Sequence, residues 1–194
     1  MNKESNSRTP GELCFDNCYL YSDLVAIRPL SISDQESVEA IGKDDEIQKW
    51  FPLPFPYISE HAKVFIEDQA ARAQSSGTGL VSVIEHAGKF AGLIDIKRTD
   101  WRSRSCEIGY MTLPWARSKG VTSKALELLS HWIIQEFGFQ RIEVRVATGN
   151  IASQRVAEKA GYVREGIARN AGFTNLGRLD LVIFSLIPSD LRTS

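Results

Sequence analysis

The segment from residue 105 to residue 147 places the strongest limit on the fold of this chain. "SCEIGYMTL" reads as a strand that stops at Pro114, and "RIEVRVA" alternates apolar and charged residues as a second strand does. Between them lies a long amphipathic helix that ends before Gly138. Its apolar face is formed by Leu126, Leu129, Ile133, Ile134 and Phe137. A strand–helix–strand unit of this kind predicts an α/β sheet with some parallel pairing.

The rest of the chain extends the same pattern. A strand precedes two helical segments, a hairpin follows them, and a capped helix and further strands complete the order. These elements are read from "DLVAIRPL" (23–30), "SISDQESVEAIG" (31–42), "EHAKVFIEDQAARAQ" (60–74), "GLVSVIEHAGKFAGLIDIKR" (79–98), "NIASQRVAEKAGY" (150–162) and "LDLVIFSLI" (179–187). No internal repeat or linker divides them. We therefore expect a flexible N-terminal arm over residues 1–22 and a single domain over residues 23–190.

Composition and charge argue against several classes of protein. The formal net charge is −1, which gives no reason to expect a nucleic-acid or membrane partner. The first residues hold no apolar signal core, and no apolar run approaches the roughly 20 residues that a membrane span needs. The three cysteines, Cys14, Cys18 and Cys106, are interpreted as free thiols in a reducing cytosol, and no metal site is expected. We therefore expect a cytoplasmic monomer or homodimer.

The helix that follows Pro114 begins with small and basic residues. A helix start leaves its first backbone N–H groups free, and the helix dipole adds partial positive charge, so such an end binds phosphate readily. Gly120 lets a ligand approach the backbone, because it has no Cβ. Basic groups and hydroxyl donors surround this glycine, from Arg117, Ser118, Lys119, Thr122 and Ser123. On these residues alone, a pyrophosphate site and an ordinary solvated helix start both remain open.

The stretch "RSKGVT" (117–122) is similar to an (Arg/Gln)-x-x-Gly-x-(Gly/Ala) loop found in a known family. Further stretches similar to that family follow in its order: "VAIRPLSISD", "PFPYISEHAKVFI", "FAGLIDI", "CEIGYMTLPWARSKGVTSKAL", "RIEVRVATGNIASQRVAEKAGYVREG" and "LDLVIFSLI". On this ordered set the chain resembles the GCN5-related N-acetyltransferases (the GNAT superfamily), and most closely their ribosomal-protein-acetylating RimJ/RimL type. Two residues depart from the family's loop. Thr122 stands where glycine or alanine is usual, and Ser118 replaces a common glycine.

The resemblance implies a GNAT fold, in which about four helices flank a mixed central sheet of about seven strands. The fourth and fifth strands splay apart, and acetyl-CoA, as co-substrate, would lie in the cleft between them. Backbone groups of Met111, Thr112 and Leu113 would pair with its pantetheine arm. Asn150 would help to hold that arm, or would only cap its own helix. The loop that would hold the pyrophosphate comprises Arg117, Ser118, Lys119, Gly120, Val121, Thr122 and Ser123.

Acyl transfer to an amine requires a base, a donor to the oxyanion and a proton for the departing thiolate. Glu107 resembles the catalytic glutamate of several family members and is the candidate base, with a structural hydrogen-bonding role as the alternative. Glu143 is interpreted as a structural or surface carboxylate. The tyrosine that acts as acid in some relatives is absent, because Ala157 stands at its position. Ser153 is the nearest substitute, and it either donates to the thiolate or only satisfies an amide in the first helical turn.

The activity that the resemblance implies is that of an acyltransferase, an acetyl-CoA-dependent N-acetyltransferase whose amine attacks directly in a ternary complex. The expected acceptor is a protein N-terminal α-amine, as on ribosomal proteins. The alternatives are a small amine, such as a polyamine or an antibiotic, and a non-catalytic module that binds acyl-CoA. Four aromatic residues, Trp50, Phe51, Phe55 and Tyr57, form either a wall of the acceptor site or a plug over the core.

Overall fold

The computed structural model describes residues 13–191, which form one sheet with helices on both faces. The strands are β1 Leu20–Ser22, β2 Val25–Pro29, β3 Leu80–His86, β4 Lys89–Asp100, β5 Ser105–Thr112, β6 Arg141–Ala147, β7 Val163–Thr174 and β8 Gly177–Leu186. The helices are α1 Gln35–Lys43, α2 Asp45–Trp50, α3 Ser59–Val64, α4 Ala71–Ser75, α5 Val121–Phe137 and α6 Ile151–Lys159. A π-helical segment, Phe65–Ala70, joins α3 to α4. Short 3-10 turns occupy Ile32–Asp34, Pro114–Ala116 and Pro188–Asp190.

The strand order in the sheet is β1-β2-β3-β4-β5-β6-β8-β7. Every neighbouring pair is antiparallel except β5 and β6, which run parallel because α5 crosses over between them. The expected mixed sheet is thus confirmed. The described residues contain eight strands, one more than expected, because the short strand β1 pairs with β2 through Leu20 and Ile27. The helix α2 was also not predicted.

The N-terminal segment packs against the rest of the domain from residue 13 onward. Phe15 is 1% exposed, and its ring centroid lies 4.8 Å from that of Trp101 and 5.2 Å from that of Phe137. Cys18 is buried as well. Residues 13–22 therefore belong to the folded domain and not to a flexible arm, because an aromatic side chain among them completes the core. The remainder of the predicted arm, residues 1–12, lies outside the described residues.

Alternation along the strands divides the core into two clusters, one on each face of the sheet. Val83 and Ile84 are adjacent and fully buried, yet Val83 packs under α1–α3 and Ile84 packs under α5. Buried residues recur along α5 at intervals of three or four positions, as the predicted amphipathic helix requires. It consists of Val121, Thr122, Ala125, Leu126, Leu129, Ser130, Ile133 and Ile134. Within residues 13–191, no helix combines the length and apolarity that a membrane crossing demands.

β5 and β6 separate soon after they begin to pair. Only three Cα pairs join them, and the last is Glu107 with Glu143. Beyond this pair, β5 continues to Thr112 and β6 continues to Ala147 without pairing each other. These are the fourth and fifth strands of the sequence prediction, renumbered because β1 precedes them, so the predicted splay is confirmed. The result is a cleft in the sheet that opens at Glu107.

Candidate active site

A cavity of about 830 Å³ fills the cleft between β5 and β6. Its walls come from α2 and the loop after it, the start of α5, the first turns of α6, and the β7–β8 hairpin. The predicted site residues that line it are Glu107, Met111, Thr112, Arg117, Ser118, Gly120, Val121, Thr122, Ser123, Asn150 and Ser153. The fold therefore gathers into one cavity most of the residues that the sequence singled out.

The start of α5 is a left-handed glycine whose backbone is accessible. Gly120 has a φ of 76°, and a Cβ built on it would meet no atom within 4 Å. The first helical hydrogen bond runs from Lys124 N to Gly120 O at 3.0 Å, so the N–H groups of the first three helical residues have no partner within the helix. Ser118 is also left-handed, with a φ of 62°, which explains why glycine suits that position. The cavity thus meets backbone donors and the positive end of the helix dipole.

The side chains of this loop hold it in place. The Arg117 guanidinium bonds the carboxylate of Asp44, the N-cap of α2, and its Nε donates to Thr112 O at 3.1 Å. The hydroxyl of Thr122 lies 2.7 Å from that of Thr112, which ties the first turn of α5 to the end of β5. Arg117 and Thr122 therefore shape the loop, and the backbone N–H groups remain as the donors that a phosphate would meet.

β5 has an unpaired edge along the cavity. Its other edge pairs with β4, through Leu93 with Met111 and Gly92 with Thr112. On the side toward β6, no strand in the described residues pairs with β5 from Ile108 to Thr112. An extended chain that lies in the cleft can therefore pair with this edge as an additional strand does.

Two residues of the predicted cofactor site lie outside the cavity lining. The N–H of Leu113 donates to Ala91 O at 2.9 Å, on the side of β4. The Nζ of Lys119 lies 5.2 Å from the ring centroid of Trp115, in a cation–π contact. Contact of Lys119 with a cofactor stays a prediction, and it would require the ammonium group to leave the indole.

Glu107 lies where the cleft opens. It is 7% exposed, and Lys97 Nζ and Arg98 Nη1 lie 3.4 Å and 3.0 Å from its two carboxylate oxygens. The Arg98 contact has the distance of an ion pair but not the geometry of a hydrogen bond, because Oε2 accepts no hydrogen bond among the described residues. Oε2 is buried against Arg98, so Oε1 is the oxygen that a proton from the cavity would reach.

Glu143 is the partner of Glu107 across the strands but does not line the cavity. Its Oε1 accepts from Arg141 Nε at 2.9 Å, and the same guanidinium bonds Glu165 on β7 at 2.6 and 2.8 Å. The Arg141 guanidinium and the Ser185 hydroxyl lower the pKa of Glu165 to about 2. Glu143 thus belongs to a network that links β6 to the β7–β8 hairpin, which fits the structural role expected for it.

Three side chains form a hydrogen-bonded group on the α6 side of the cleft. Asn150 caps α6, since its Oδ1 accepts from Ser153 N at 3.1 Å. The Ser153 hydroxyl does not cap the helix; it donates to the Tyr110 hydroxyl at 3.0 Å. Tyr110 in turn donates to Ser153 O at 2.9 Å. Burial raises the pKa of Tyr110 despite the hydrogen bond from Ser153, so the phenol stays protonated at neutral pH.

The hydroxyl of Tyr110 was not predicted. The position expected for an acidic tyrosine holds Ala157, which is fully buried, and the nearby Tyr162 bonds Ser130 in the core at 2.7 Å. Tyr110 reaches α6 from β5, a segment far away in sequence. The sequence held one signal for this contact, the alternation of side chains along β5. That alternation places Tyr110 on the face opposite Glu107 and Met111.

Of the four aromatic residues at the end of α2 and in the loop after it, two fit the predicted wall of the acceptor site and one fits the predicted plug. Trp50 and Phe51 line the cavity. Tyr57 is buried in the core cluster under α1–α3, where its ring fills the space beside Gly42. Phe55 is 84% exposed and does neither.

Basic side chains outnumber acidic ones in the cavity lining. The acidic residues are Glu46 and Glu107, and the basic residues are Lys97, Arg98, Arg117, Arg145, Arg155, Lys159 and Arg178. Because these residues come from separate segments, no charged run in the sequence pointed to them. A chain with a net charge of −1 therefore encloses a positively charged cavity.

Residues 25–163 match the family described as the acetyltransferase (GNAT) domain. The chain belongs to this family. It is therefore an acyltransferase, and the family and enzyme class expected from the sequence are confirmed. YoaA of Bacillus subtilis (strain 168), described as an uncharacterized N-acetyltransferase, is 26% identical over 170 residues, which are 87% of this chain and 96% of YoaA.

A second relative and a solved structure are also similar to this protein. Ribosomal-protein-serine acetyltransferase of Escherichia coli (strain K12) is 28% identical over 96 residues, which are 50% of this chain and 54% of that protein. The structure of Mycobacterium smegmatis RimJ in complex with CoA-disulfide shares the fold with a TM-score of 0.82 at 21% identity. It covers 92% of this chain and 90% of RimJ.

Proposed function

We propose that this protein transfers the acetyl group of acetyl-CoA to the N-terminal α-amine of a protein. The observation that carries the proposal is the cleft, which opens at a buried carboxylate and extends to a helix start with free N–H groups. The name of the Escherichia coli relative, a ribosomal-protein-serine acetyltransferase, supports a ribosomal protein as the acceptor. RimJ, which shares this fold, was solved with CoA-disulfide, which supports the choice of acyl carrier.

The residues of the cleft fit acetyl-CoA, which supplies the acetyl thioester. The pyrophosphate would lie against the backbone N–H groups at the start of α5, where Gly120 leaves open space. The amides of the pantetheine arm would pair with the unpaired edge of β5 at Met111 and Thr112. Asn150 would donate to the same arm through Nδ2, which has no partner among the described residues, while Oδ1 caps α6.

In the proposed reaction, Glu107 removes a proton from the acceptor amine, directly or through one water. The amine nitrogen then attacks the acetyl carbon in a ternary complex, and a backbone N–H on the edge of β5 donates to the oxyanion. As the C–N bond forms and the C–S bond breaks, the Ser153 hydroxyl donates a hydrogen bond to the departing thiolate, and the second proton that the nitrogen loses as the amide forms converts the thiolate to the thiol. In the structure the Ser153 hydroxyl donates to Tyr110 at 3.0 Å, so Tyr110 positions it and it would turn from Tyr110 to the sulfur as the thiolate departs.

The charge of the cavity favours a protein amine over the small amines considered above. Seven basic side chains and two acidic ones line it. Arg155 and Lys159 lie on the side of the proposed phosphates, which would offset their charge. Polyamines and aminoglycoside antibiotics carry several positive charges, and Arg145, on the face of the candidate base, repels them. A peptide N-terminus brings one amine and no further obligatory positive charge.

An acceptor screen with the full-length protein and detection of released free thiol tests this function. The panel contains N-terminal peptides of ribosomal proteins, a polyamine and an aminoglycoside. A matched control is each peptide with its α-amine already blocked. We expect thiol release with the free peptides alone. Release with the polyamine or the aminoglycoside alone would assign a small-molecule acceptor, and acetyl-CoA binding without release would indicate a binding module.

A further inference from the structure

Arg145 lies in the cleft on the same face of the sheet as Glu107. Glu107 and Glu143 are register partners in the parallel pair β5–β6, and Arg145 follows two residues later on β6. Side chains two residues apart on a strand share a face. The neighbours Val144 and Val146 point to the other face, into the core cluster under α5. Arg145 on β6 and Glu107 on β5 therefore lie on opposite sides of the cleft, and both side chains lie on the same face of the sheet.

The guanidinium of Arg145 has no hydrogen-bond or ion-pair partner among the described residues. Its Nε is buried and donates no hydrogen bond, although the residue lines the cavity. The other cations where β5 and β6 separate are paired. Lys97 and Arg98 pair with Glu107, and Arg141 pairs with Glu143 on β6 and Glu165 on β7. A buried donor without an acceptor is unfavourable and calls for an explanation. An acceptor supplied by a ligand explains it.

The phosphates of acetyl-CoA are not that acceptor in the binding mode proposed above. They would lie at the start of α5, which packs on the opposite face of the sheet from Glu107. Two other basic residues of the cavity, Arg155 and Lys159, lie on α6, which packs on that same opposite face. Arg145 instead shares its face with the candidate base, where the acceptor amine must approach.

We propose that Arg145 binds a carboxylate of the acceptor, close to its reactive amine. A guanidinium takes a carboxylate through two parallel hydrogen bonds, a geometry that other acceptors do not match as well. Lys97 and Arg98 are balanced by Glu107 and Asp95, so the Arg145 guanidinium is the cation left to meet the carboxylate. This inference rests on the proposed function and narrows its substrate class to peptides with an acidic residue at the first or second position.

The spacing of the strands agrees with that peptide length. Paired strands lie about 4.8 Å apart, and two residues along a strand span about 6.6 Å, so the Cα atoms of Glu107 and Arg145 lie at least about 8 Å apart. Consecutive Cα atoms of a peptide are about 3.8 Å apart. An amine at Glu107 and a carboxylate at Arg145 therefore belong to one residue with a long acidic side chain or to two neighbouring residues. A free acidic amino acid offers the same chemistry.

Matched acceptor peptides test the inference on the full-length protein. One peptide begins with serine and glutamate, and its partner begins with serine and glutamine. We expect kcat/KM to be about ten- to a hundred-fold higher for the acidic peptide, the range for a hydrogen-bonded charge. Arg145→Gln should make the two peptides equal. The control Arg169→Gln changes an exposed arginine outside the cavity lining and should keep the preference.

The outcomes separate this inference from the proposed function. Equal rates for both peptides in the unaltered protein, or an equal loss for both in Arg145→Gln, would overturn carboxylate recognition and leave N-terminal acetylation standing. A preference seen only for free glutamate over free glutamine would support the role of Arg145 and overturn the protein acceptor. If nothing is acetylated, calorimetry of both peptides with the CoA-loaded protein decides. Tighter binding of the acidic peptide, lost in Arg145→Gln, supports the inference, and equal or absent binding overturns it.

Discussion

At the scale of single residues, Glu107 combines burial with an oxygen that accepts no hydrogen bond among the described residues. We predict that Glu107→Gln lowers turnover by roughly 10²–10⁴, because an amide cannot accept the amine proton. The effect on acetyl-CoA affinity should be modest. Steady-state rates and calorimetry measure the two quantities.

Glu143→Gln is the matched control, since Glu143 is the register partner of Glu107 and lies outside the cavity lining. It should matter less than Glu107→Gln. If the two variants rank the other way, Glu143 is the base. If neither changes the rate, the amine reaches the site already neutral.

Ser153 offers a second test at this scale, because its hydroxyl contacts Tyr110 while Asn150 caps the helix. We predict that Ser153→Ala lowers turnover about 10²-fold and leaves the melting temperature unchanged. Tyr110→Phe should lower turnover too, since it removes the group that positions the serine. Asn150→Ala should instead cost about 1 kcal/mol of stability through the lost cap.

Rate measurements and thermal melts on the same three variants separate these roles. A lower melting temperature with an unchanged rate in Ser153→Ala would make its hydroxyl a structural group. A structure with CoA bound gives a second check. A sulfur more than about 4 Å from the Ser153 hydroxyl, with no bridging water, would contradict the donor role.

At the scale of elements, α5 carries a left-handed glycine at each end, which provides an internally matched pair. Gly120 and Gly138 have φ values of 76° and 68°, and a Cβ on either meets no atom within 4 Å. We predict that Gly120→Asp weakens acetyl-CoA binding tenfold or more, because two like charges about 4 Å apart repel by roughly 4 kcal/mol at the protein surface. Calorimetry measures the affinity.

Gly138→Asp imposes the same backbone strain at the far end of the helix, away from the proposed phosphate site. It should lower stability more than Gly120→Asp does, because aspartate is unfavourable at the negative end of a helix and favourable at its start, but it should leave the affinity for acetyl-CoA unchanged. Equal affinities in both folded variants would remove the start of α5 from the cofactor site.

At the scale of the whole molecule, the domain depends on a segment that the sequence indicated as an arm. Phe15 packs among the rings of Trp101, Trp132, Phe137 and Phe139. We predict that Phe15→Ala lowers the free energy of unfolding by about 3–5 kcal/mol, the range for removing a buried aromatic ring. Urea denaturation measures it.

Tyr19→Ala is the control, because Tyr19 comes from the same segment and is 62% exposed. It should change the free energy of unfolding by less than about 0.5 kcal/mol. A similarly small value for Phe15→Ala would show that the segment contributes little to the fold.

The sequence by itself determined the features that depend on neighbours along the chain. The strand–helix–strand order, the amphipathic face of α5 and the glycines at its ends are local patterns, and the parallel crossover follows from their order. The position of Glu107 on a strand beside the splay followed from the family resemblance. Backbone propensity and periodicity depend on residues a few positions apart, so both can be read from the sequence without knowledge of the fold.

Tertiary structure decided which distant side chains meet. Tyr110 and Ser153 are 43 positions apart, and Arg117 and Asp44 are 73 apart. The positive lining of the cavity, with the unpartnered Arg145, comes from separate segments of a chain whose net charge is −1. Such contacts depend on strand register and on how the helices pack across the sheet. Those arrangements result from the burial of apolar surface over the whole chain, which no short segment encodes.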